Sequence, residues 1–295
     1  MFKRTSPGDV VFSIIVYIIL AVLTLIVLIP LLHVLAASFS APAAVTAGRV
    51  GILPVDFSLR GYETVFNYSS VITGYRNSLI YMTLGTSLNL TLTLITAYPL
   101  AKRDLPYRSA IMGFFAFCMF FNGGMIPNYI LMRDLRLLNT IWAMVVPGAI
   151  GVTNMIIMRT FIQENIPNEL YEAADIDGCD EFKYLFRIVI PLSKASIAVI
   201  TLFYAVGHWN AFFNAFLYLH NPNLRPLQIV LREILIQNTI NQNELLLEGE
   251  NFAQMGMAEL LKYSLIIVAS VPMLVLYPFI QKHFVKGVMI GSLKG

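Results

Sequence analysis

The feature that most constrains this chain is a long uncharged run near its N-terminus. Val10 to Ala37 contain no Asp, Glu, Lys or Arg, and they follow a short basic head with Lys3 and Arg4. The run exceeds the roughly 20 residues that a helix needs to cross a bilayer, and also the roughly 7–15 apolar residues of a signal-peptide core. We therefore expect a retained membrane-spanning helix with surplus length for tilt.

The composition extends this expectation to the whole chain. Hydrophobic residues make up 57%, charged residues 13%, and the mean hydropathy is +0.71. A soluble domain carries roughly 25% charged residues. Because backbone polar groups in lipid must be satisfied internally, such a sequence predicts an all-α integral membrane protein.

The apolar segments predict six transmembrane helices in a single domain, residues 1–295. The predicted spans are residues 10–37, 77–101, 109–132, 137–158, 195–219 and 263–281. The third is interrupted by Asn, Gly and Pro at 122–127, so we expect it to break there. Six spans put both termini on one side, and basic residues such as those at 102–108 favour the cytoplasm. The bias is moderate because several arginines lie on the other side.

The longest strongly charged segment, Asn168 to Pro191, predicts two short helices. A helix beginning at Asn168 would end at Gly178, which can adopt the left-handed conformation. Asp180 is a suitable N-cap for the second helix, which Pro191 would end. One apolar face of that helix is predicted from the spacing of Phe182, Leu185, Phe186 and Val189.

Two interpretations of this segment are open from the residues alone. It is either a docking surface or a solvated loop that only joins two spans. Nucleic acid is excluded, because the segment is rich in acids that would repel phosphate. Counted from just before the segment, these acids are Glu164, Glu169, Glu172, Asp175, Asp177, Asp180 and Glu181.

The spacing within this segment resembles the EAA loop of ABC importer permeases. Glu172, Ala173 and Ala174 are followed by Gly178 and then by Ile188–Pro191, with Ile190 where the family usually has Leu. The similarity is greatest to the maltose-type carbohydrate-uptake branch, in particular to permeases for complex or uronic-acid oligosaccharides. It extends from the KRT stretch at Lys3 to the C-terminal KGxxxGxxKG pattern.

The resemblance implies a type I ABC importer permease fold and a non-catalytic membrane subunit. Loop 164–193 would be cytoplasmic and would seat in a cleft of a separate ATPase, which binds the ATP and Mg; no cofactor is expected in this chain. The coupling residues that the resemblance assigns are Glu172, Ala173, Ala174, Asp177, Gly178, Phe182, Phe186 and Pro191. A cytoplasmic tail, residues 284–295, would enter the ATPase interface through Lys286, Gly287, Gly291 and Gly295. From its glycines alone, that tail predicts only a frayed end without a continuous helix.

The implied partners are membrane lipid, a second homologous permease that forms a heterodimer with this chain, two ATPase subunits and an extracytoplasmic solute-binding protein. The implied location is the prokaryotic cytoplasmic (inner) membrane. The implied function is ATP-driven import of sugars or oligosaccharides.

The fifth span carries a candidate substrate path. Asn210 and Asn214 lie on one predicted helical face, with Trp209 and Phe213 beside them. Polar side chains inside a span usually face the bundle or a water-filled cavity. Amide groups can bind sugar hydroxyls and aromatic faces can bind the apolar side of the ring. The asparagines are equally consistent with hydrogen bonding between helices, and the partner permease can hold most sugar contacts.

Several motifs are absent from the sequence. There is no GxxxxGK[ST] phosphate loop, no catalytic signature and no metal-like spacing of Cys118 and Cys179, which we expect to be free thiols. The alternative function is an ion-coupled secondary transporter. We find neither an inverted repeat nor a pair of intramembrane carboxylates for ion coupling.

Overall fold

A computed structural model describes residues 7–248 and 252–292, with side chains described for 7–237 and 256–278. Helix accounts for 78% of the structure, and these ranges contain no strand. The prediction of an all-α chain is confirmed. The helices are α1 (Pro7–Ser38), α2 (Pro42–Thr46), α3 (Arg60–Asn67), α4 (Ser69–Ala101), α5 (Arg108–Phe120), α6 (Met125–Asp134), α7 (Trp142–Val145), α8 (Val152–Asn165), α9 (Asn168–Ile176), α10 (Glu181–Tyr184), α11 (Ile190–Leu192), α12 (Lys194–Trp209), α13 (Phe213–Tyr218), α14 (Leu227–Glu248) and α15 (Phe252–Ser292), with a π-helical turn at Leu185–Val189 and a 3₁₀ turn at Pro222–Leu224.

Three helical segments of the described chain are long and apolar enough to cross a membrane. They are Pro7–Ser38, Ser69–Ala101 and Gly256–Pro278. Two bent pairs bring the number to five if each pair forms one span: α5 with α6, bent by 112°, and Glu181–Leu192 with α12, bent by 84°. The arrangement of six spans therefore stays a prediction.

Three predicted spans are not continuous helices. The third breaks between α5 and α6 within the 122–127 segment, where Gly124 has φ of 87° and its N–H donates to Asn122 Oδ1. The fourth is divided between α7 and α8, because Pro147 and Gly148, the latter with φ of 71°, interrupt the helix. The fifth ends at Trp209, and a new helix starts at Phe213.

The chain divides into two compact units, Met1–Ser69 with Leu231–Val271 and Ser70–Val230 with Pro272–Gly295. In the first unit, the apolar side chains of α1 are exposed along most of its length, and its C-terminal end packs in a small core with Val45, Val50 and Leu260. The connection after α1 closes on itself beside the end of that helix, since the Ser58 N–H donates at 2.9 Å to the carbonyl of Phe39, the residue that follows α1. A helix with an apolar surface on all sides requires lipid or a partner helix around it.

The second unit is built around α4. One core cluster packs against the C-terminal half of α4 and includes Met155, Met158 and Ile200. A second cluster surrounds Tyr81 in the N-terminal half. Several buried polar groups of α4 are paired: the Tyr81 hydroxyl donates to the Leu224 carbonyl at 2.6 Å, and other side chains of α4 bind the same 223–227 segment. Among the described residues, Thr86 Oγ1 and Asn89 Oδ1 are buried on the same helix without a hydrogen-bond partner.

The C-terminal helix extends further than the sequence indicated. The backbone of α15 is helical to Ser292, so Lys286, Gly287 and Gly291 lie within a helix. The expected absence of a continuous helix there is wrong. The helix continues through these glycines, whose cost of about 1 kcal/mol each relative to alanine weakens a helix without excluding it. Gly295 lies outside the described residues.

A glycine in α15 gives the first test of this packing. A Cβ added at Gly256 would lie 2.7 Å from the Pro42 carbonyl oxygen, a backbone atom that cannot move without shifting α2. We expect Gly256→Ala to lower the free energy of unfolding by about 1–3 kcal/mol, because overpacking forces the backbone apart. The measurement is the thermal unfolding midpoint in detergent.

Gly113 provides the matched control, since it also lies in a helix and a Cβ there meets nothing within 4 Å. Gly113→Ala should leave the midpoint unchanged or raise it, by up to about 1 kcal/mol of helix propensity. Equal midpoints for the two variants would contradict the close approach of α15 and α2.

Candidate functional site

The first helix of the acidic segment, α9, ends in a Schellman motif. Gly178 has φ of 69°, its N–H donates to the Asp175 carbonyl at 2.9 Å, and the Cys179 N–H donates to the Ala174 carbonyl at 2.9 Å. These two bonds satisfy carbonyls that a helix end otherwise leaves without partners. The left-handed conformation predicted for Gly178 is therefore present.

The second helix begins where the sequence predicts. The side chain of Asp180 accepts a hydrogen bond from the Lys183 N–H at 2.9 Å, which is N-cap geometry. The sequence predicts that this helix ends at Pro191. In the structure the helix includes Pro191 in its last turn, α11, and ends one residue later at Leu192. Proline has no N–H to donate to the carbonyl of Arg187, and the preceding turn widens into the π-helical geometry of Leu185–Val189.

The predicted single apolar face is wrong. Leu185 and Val189 are buried, whereas Phe182 and Phe186 are 75% and 63% exposed. The inward residues Tyr184, Leu185, Ile188 and Val189 still recur at helical spacing, so the buried face is rotated away from the one that the sequence predicts. The four residues therefore divide between an inner face and an outer face.

The outer face of the segment presents large apolar side chains among acids. Ile176 is 86% exposed and lies close in sequence to Phe182 and Phe186. Asp175 and Asp177 flank Ile176. Exposed large apolar groups on a charged segment are characteristic of a protein-binding surface.

The inner face is packed into the second unit. Ala174, Tyr184, Leu185 and Val189 belong to the same buried cluster as the C-terminal half of α4. The Tyr184 ring lies 5.3 Å from the ring of Tyr171 in a T-shaped arrangement. The segment is thus attached on one side and free on the other within the described chain.

One carboxylate joins the two helices of the segment to α4. Glu181 accepts hydrogen bonds from Tyr98 and Lys102 and, at 2.9 Å, from the hydroxyl of Tyr171 on α9. The Lys102 ammonium also lies 3.9 Å from the centroid of the Tyr171 ring, in cation–π geometry. No spacing in the sequence predicts this cluster, and from the sequence Lys102 is only one of the basic residues that favour the cytoplasmic side.

The electrostatics of the pair agree with this geometry. Partial burial alone would raise the pKa of Glu181, but the hydrogen bonds from Lys102 and the two tyrosines outweigh it, so the pKa lies below its ordinary value. Partial burial would lower the pKa of Lys102, but its hydrogen bonds to Glu181 and Tyr171 raise it overall. Both groups are therefore charged around neutral pH.

A cleft of about 710 Å³ lies beside this cluster. It is lined by the end of α4, the end of α8 and the exposed side of α9, including Lys102, Gln163, Asn168 and Glu172. One wall of the cleft is therefore formed by the same segment that carries the exposed apolar side chains.

The candidate substrate-path residues lie in different environments. Trp209 is only 1% exposed, and its ring packs edge-on against Tyr75 with centroids 5.5 Å apart. Asn210 and Phe213 are exposed, and Asn214 is half-buried. Because α12 ends at Trp209, these residues do not share one continuous helical face.

The described residues contain no group of three or more His, Cys, Asp or Glu side chains that could hold a metal. Cys118 is exposed and Cys179 half-buried, and neither forms a disulfide.

Comparison with known proteins agrees with the fold. No protein-family model matches the chain. The polygalacturonan/rhamnogalacturonan transport system permease protein YtcP of Bacillus subtilis (strain 168) is 38% identical over 289 residues, covering 96% of this chain and 98% of YtcP. Protein LplC of the same organism is 40% identical over 271 residues, covering 92% of this chain and 90% of LplC. In the crystal structure of a bacterial ABC transporter involved in the import of the acidic polysaccharide alginate, one chain matches with a TM-score of 0.85 at 31% identity, covering 96% of this chain and 100% of that chain.

The fold and these comparisons define a membrane component of a transport system. The chain belongs to the family of ABC importer permease subunits, in its carbohydrate-uptake branch. Permeases of this family are multi-pass proteins of the inner membrane and are transport components.

Gly178 allows a test of the Schellman motif. A Cβ at this position meets nothing within 4 Å, so any penalty comes from the positive φ. Gly178→Val should destabilise the turn by about 1–2 kcal/mol, because a β-branched residue is strained in the left-handed region. Limited proteolysis at the 176–180 turn should be faster in this variant.

Gly178→Asn is the control, because asparagine tolerates the left-handed conformation. It should be cleaved at nearly the wild-type rate. Equal and rapid cleavage of both variants would contradict an explanation based on backbone strain.

Proposed function

We propose that this chain is one membrane subunit of an ATP-driven importer of sugars or oligosaccharides, and that loop 164–193 binds a separate ATPase. The observation that carries the proposal is the exposed apolar group Ile176, Phe182 and Phe186 on a segment whose opposite side is buried. A partner can bind the outer face, and movement of the segment is then transmitted to the unit in which its inner face is packed. Asp177, Gly178 and Pro191 fix the shape of the segment.

The proposed assembly contains a second homologous permease, two ATPase subunits and an extracytoplasmic solute-binding protein. ATP and Mg belong to the ATPase subunits, and this chain binds neither. It crosses the inner membrane six times, with both termini in the cytoplasm and lipid around α1. The tail, residues 284–295, reaches the ATPase interface through Lys286, Gly287, Gly291 and Gly295.

The proposed substrates are oligosaccharides from acidic polysaccharides. The names of YtcP and of the alginate transporter support this class. On this chain, the exposed Asn210 and Phe213 and the half-buried Asn214 are the residues proposed to line the path.

The function is tested in proteoliposomes that contain both permeases, the ATPase and the binding protein. We expect labelled oligosaccharide uptake with ATP inside the vesicles and none with an ion gradient alone. Uptake driven by a gradient without ATP would favour the alternative, an ion-coupled secondary transporter, and would contradict the proposal.

The same assembly tests the ATPase contact. Phe182→Ser and Phe186→Ser should each weaken association with the ATPase about tenfold or more, as expected for an aromatic residue central to an interface. The measurement is co-purification of the ATPase with the permease pair. Phe57→Ser is the control, because Phe57 is 69% exposed on the connection between α2 and α3. Loss of the ATPase with Phe57→Ser but not with the loop variants would contradict the assignment.

The path residues give a second test, because their burial differs. Asn210→Leu should raise the half-saturating concentration for uptake about five- to 150-fold, equivalent to about 1–3 kcal/mol of binding free energy, with normal thermal stability. Asn210→Gln should retain most recognition. Trp209→Ala should instead lower the free energy of unfolding by about 3–5 kcal/mol, because it empties a buried site. Uptake that is indifferent to Asn210→Leu would move the sugar contacts to the partner permease.

A further inference from the structure

We infer that Glu181 is a positioning residue that fixes both coupling helices, α9 and α10, to the cytoplasmic end of α4, so that motion of the loop is transmitted to α4 through the Glu181–Lys102 pair. The inference rests on the proposed ATPase contact and extends it from the surface of the loop to the way the loop is attached.

The hydrogen bonds at Glu181 join three parts of the chain. Tyr98 lies in the last turn of α4 and Lys102 directly follows it, while Tyr171 lies on α9 and Glu181 begins α10. All three partners donate to the one carboxylate, and the Glu181–Lys102 contact is an ion pair. Charge-assisted hydrogen bonds of this kind are about twice as strong as neutral ones. A single side chain thus joins elements that are distant in sequence.

The Lys102 ammonium is fixed from more than one direction. It contacts the carboxylate and lies over the Tyr171 ring, and its side chain is only 19% exposed. An exposed pair on flexible side chains contributes little, because both must be ordered to meet. Here the tyrosine ring and partial burial already restrict the lysine.

The end of α4 is itself held to the helix that leads into the loop. The Leu100 carbonyl accepts from Arg159 Nε at 2.9 Å and from Arg108 Nε at 3.1 Å, and the Ala101 carbonyl accepts from Gln163 at 3.0 Å. These are the last carbonyls of α4, which have no partner inside the helix. Arg159 and Gln163 lie on α8, so α4 and α8 meet the loop as one connected body.

The position of Glu181 in the loop makes it suited to transmission. Phe182, the next residue, is 75% exposed on the proposed ATPase-binding face. Its neighbour Glu181 contacts α4 on the other side. Force applied to the outer face therefore reaches α4 through adjacent backbone positions, without passing along a flexible chain.

The test uses the assembled transporter and measures substrate molecules imported per ATP hydrolysed. Glu181→Gln and Lys102→Met should each lower this ratio by about two- to thirtyfold, the range for changes along a coupling network, while ATPase association stays near wild type. Lys102→Arg should keep the ratio, since it keeps the charge.

The double variant Lys102→Met with Glu181→Gln distinguishes a pair from two separate effects. It should be no worse than either single variant, because both changes remove the same interaction. Asp134→Asn is the control, since it removes an ion pair with Arg133 that is exposed on both sides. It should leave the ratio unchanged.

The results distinguish failure of the proposed function from failure of the role assigned to the Glu181–Lys102 pair. Absence of ATP-driven uptake in the wild type would overturn the proposed function. ATP-driven uptake with a wild-type ratio in Glu181→Gln and Lys102→Met, or additive losses in the double variant, would overturn only the role of the pair.

Discussion

The second unit depends on the buried face of α4. Along its length, this helix binds the 223–227 segment through Tyr81, meets α12 where Thr93 and the Tyr204 hydroxyl lie 2.7 Å apart, and ends among side chains of α8 and the acidic loop. The Tyr204 hydroxyl also accepts from the Gly151 N–H at the start of α8. Since polar groups in an apolar environment are costly unless paired, each of these bonds fixes the rotation of α4 as well as its position. A change at either end of α4 therefore has to be accommodated by several elements together.

The division of the acidic loop into two faces explains how a charged segment can be both rigid and available to a partner. Its inner side contributes to the apolar core through Tyr184, Leu185 and Val189. Its outer side leaves two phenylalanines to solvent, where they cost free energy unless another protein covers them. A protein bound to this outer side would remove that cost. The same holds for the exposed apolar surface of α1, which requires lipid or a neighbouring helix.

Local features of this chain could be predicted from sequence, and features set by packing could not. The positive φ of Gly178 and the N-cap of Asp180 follow from residue type and neighbours, and both are present. The Glu181 cluster joins residues about 80 positions apart, for which no spacing rule exists. The burial of Trp209 depends on Tyr75 of another helix, and the face of the second loop helix that turns inward is set by its packing in the core cluster with α4. The breaks after Val145 and Trp209 arise where apolar composition continues but helical backbone does not.

The helical spacing of the second loop helix also limits which changes of length this segment can accommodate. An inserted or deleted residue in an α-helix rotates everything beyond it by about 100°. Within Glu181–Leu192, such a change would turn the inward-facing side chains beyond it away from the core. Substitutions that keep size and polarity leave the two faces intact. The number of residues between Asp180 and Pro191 therefore determines which side chains face the core and which face outward.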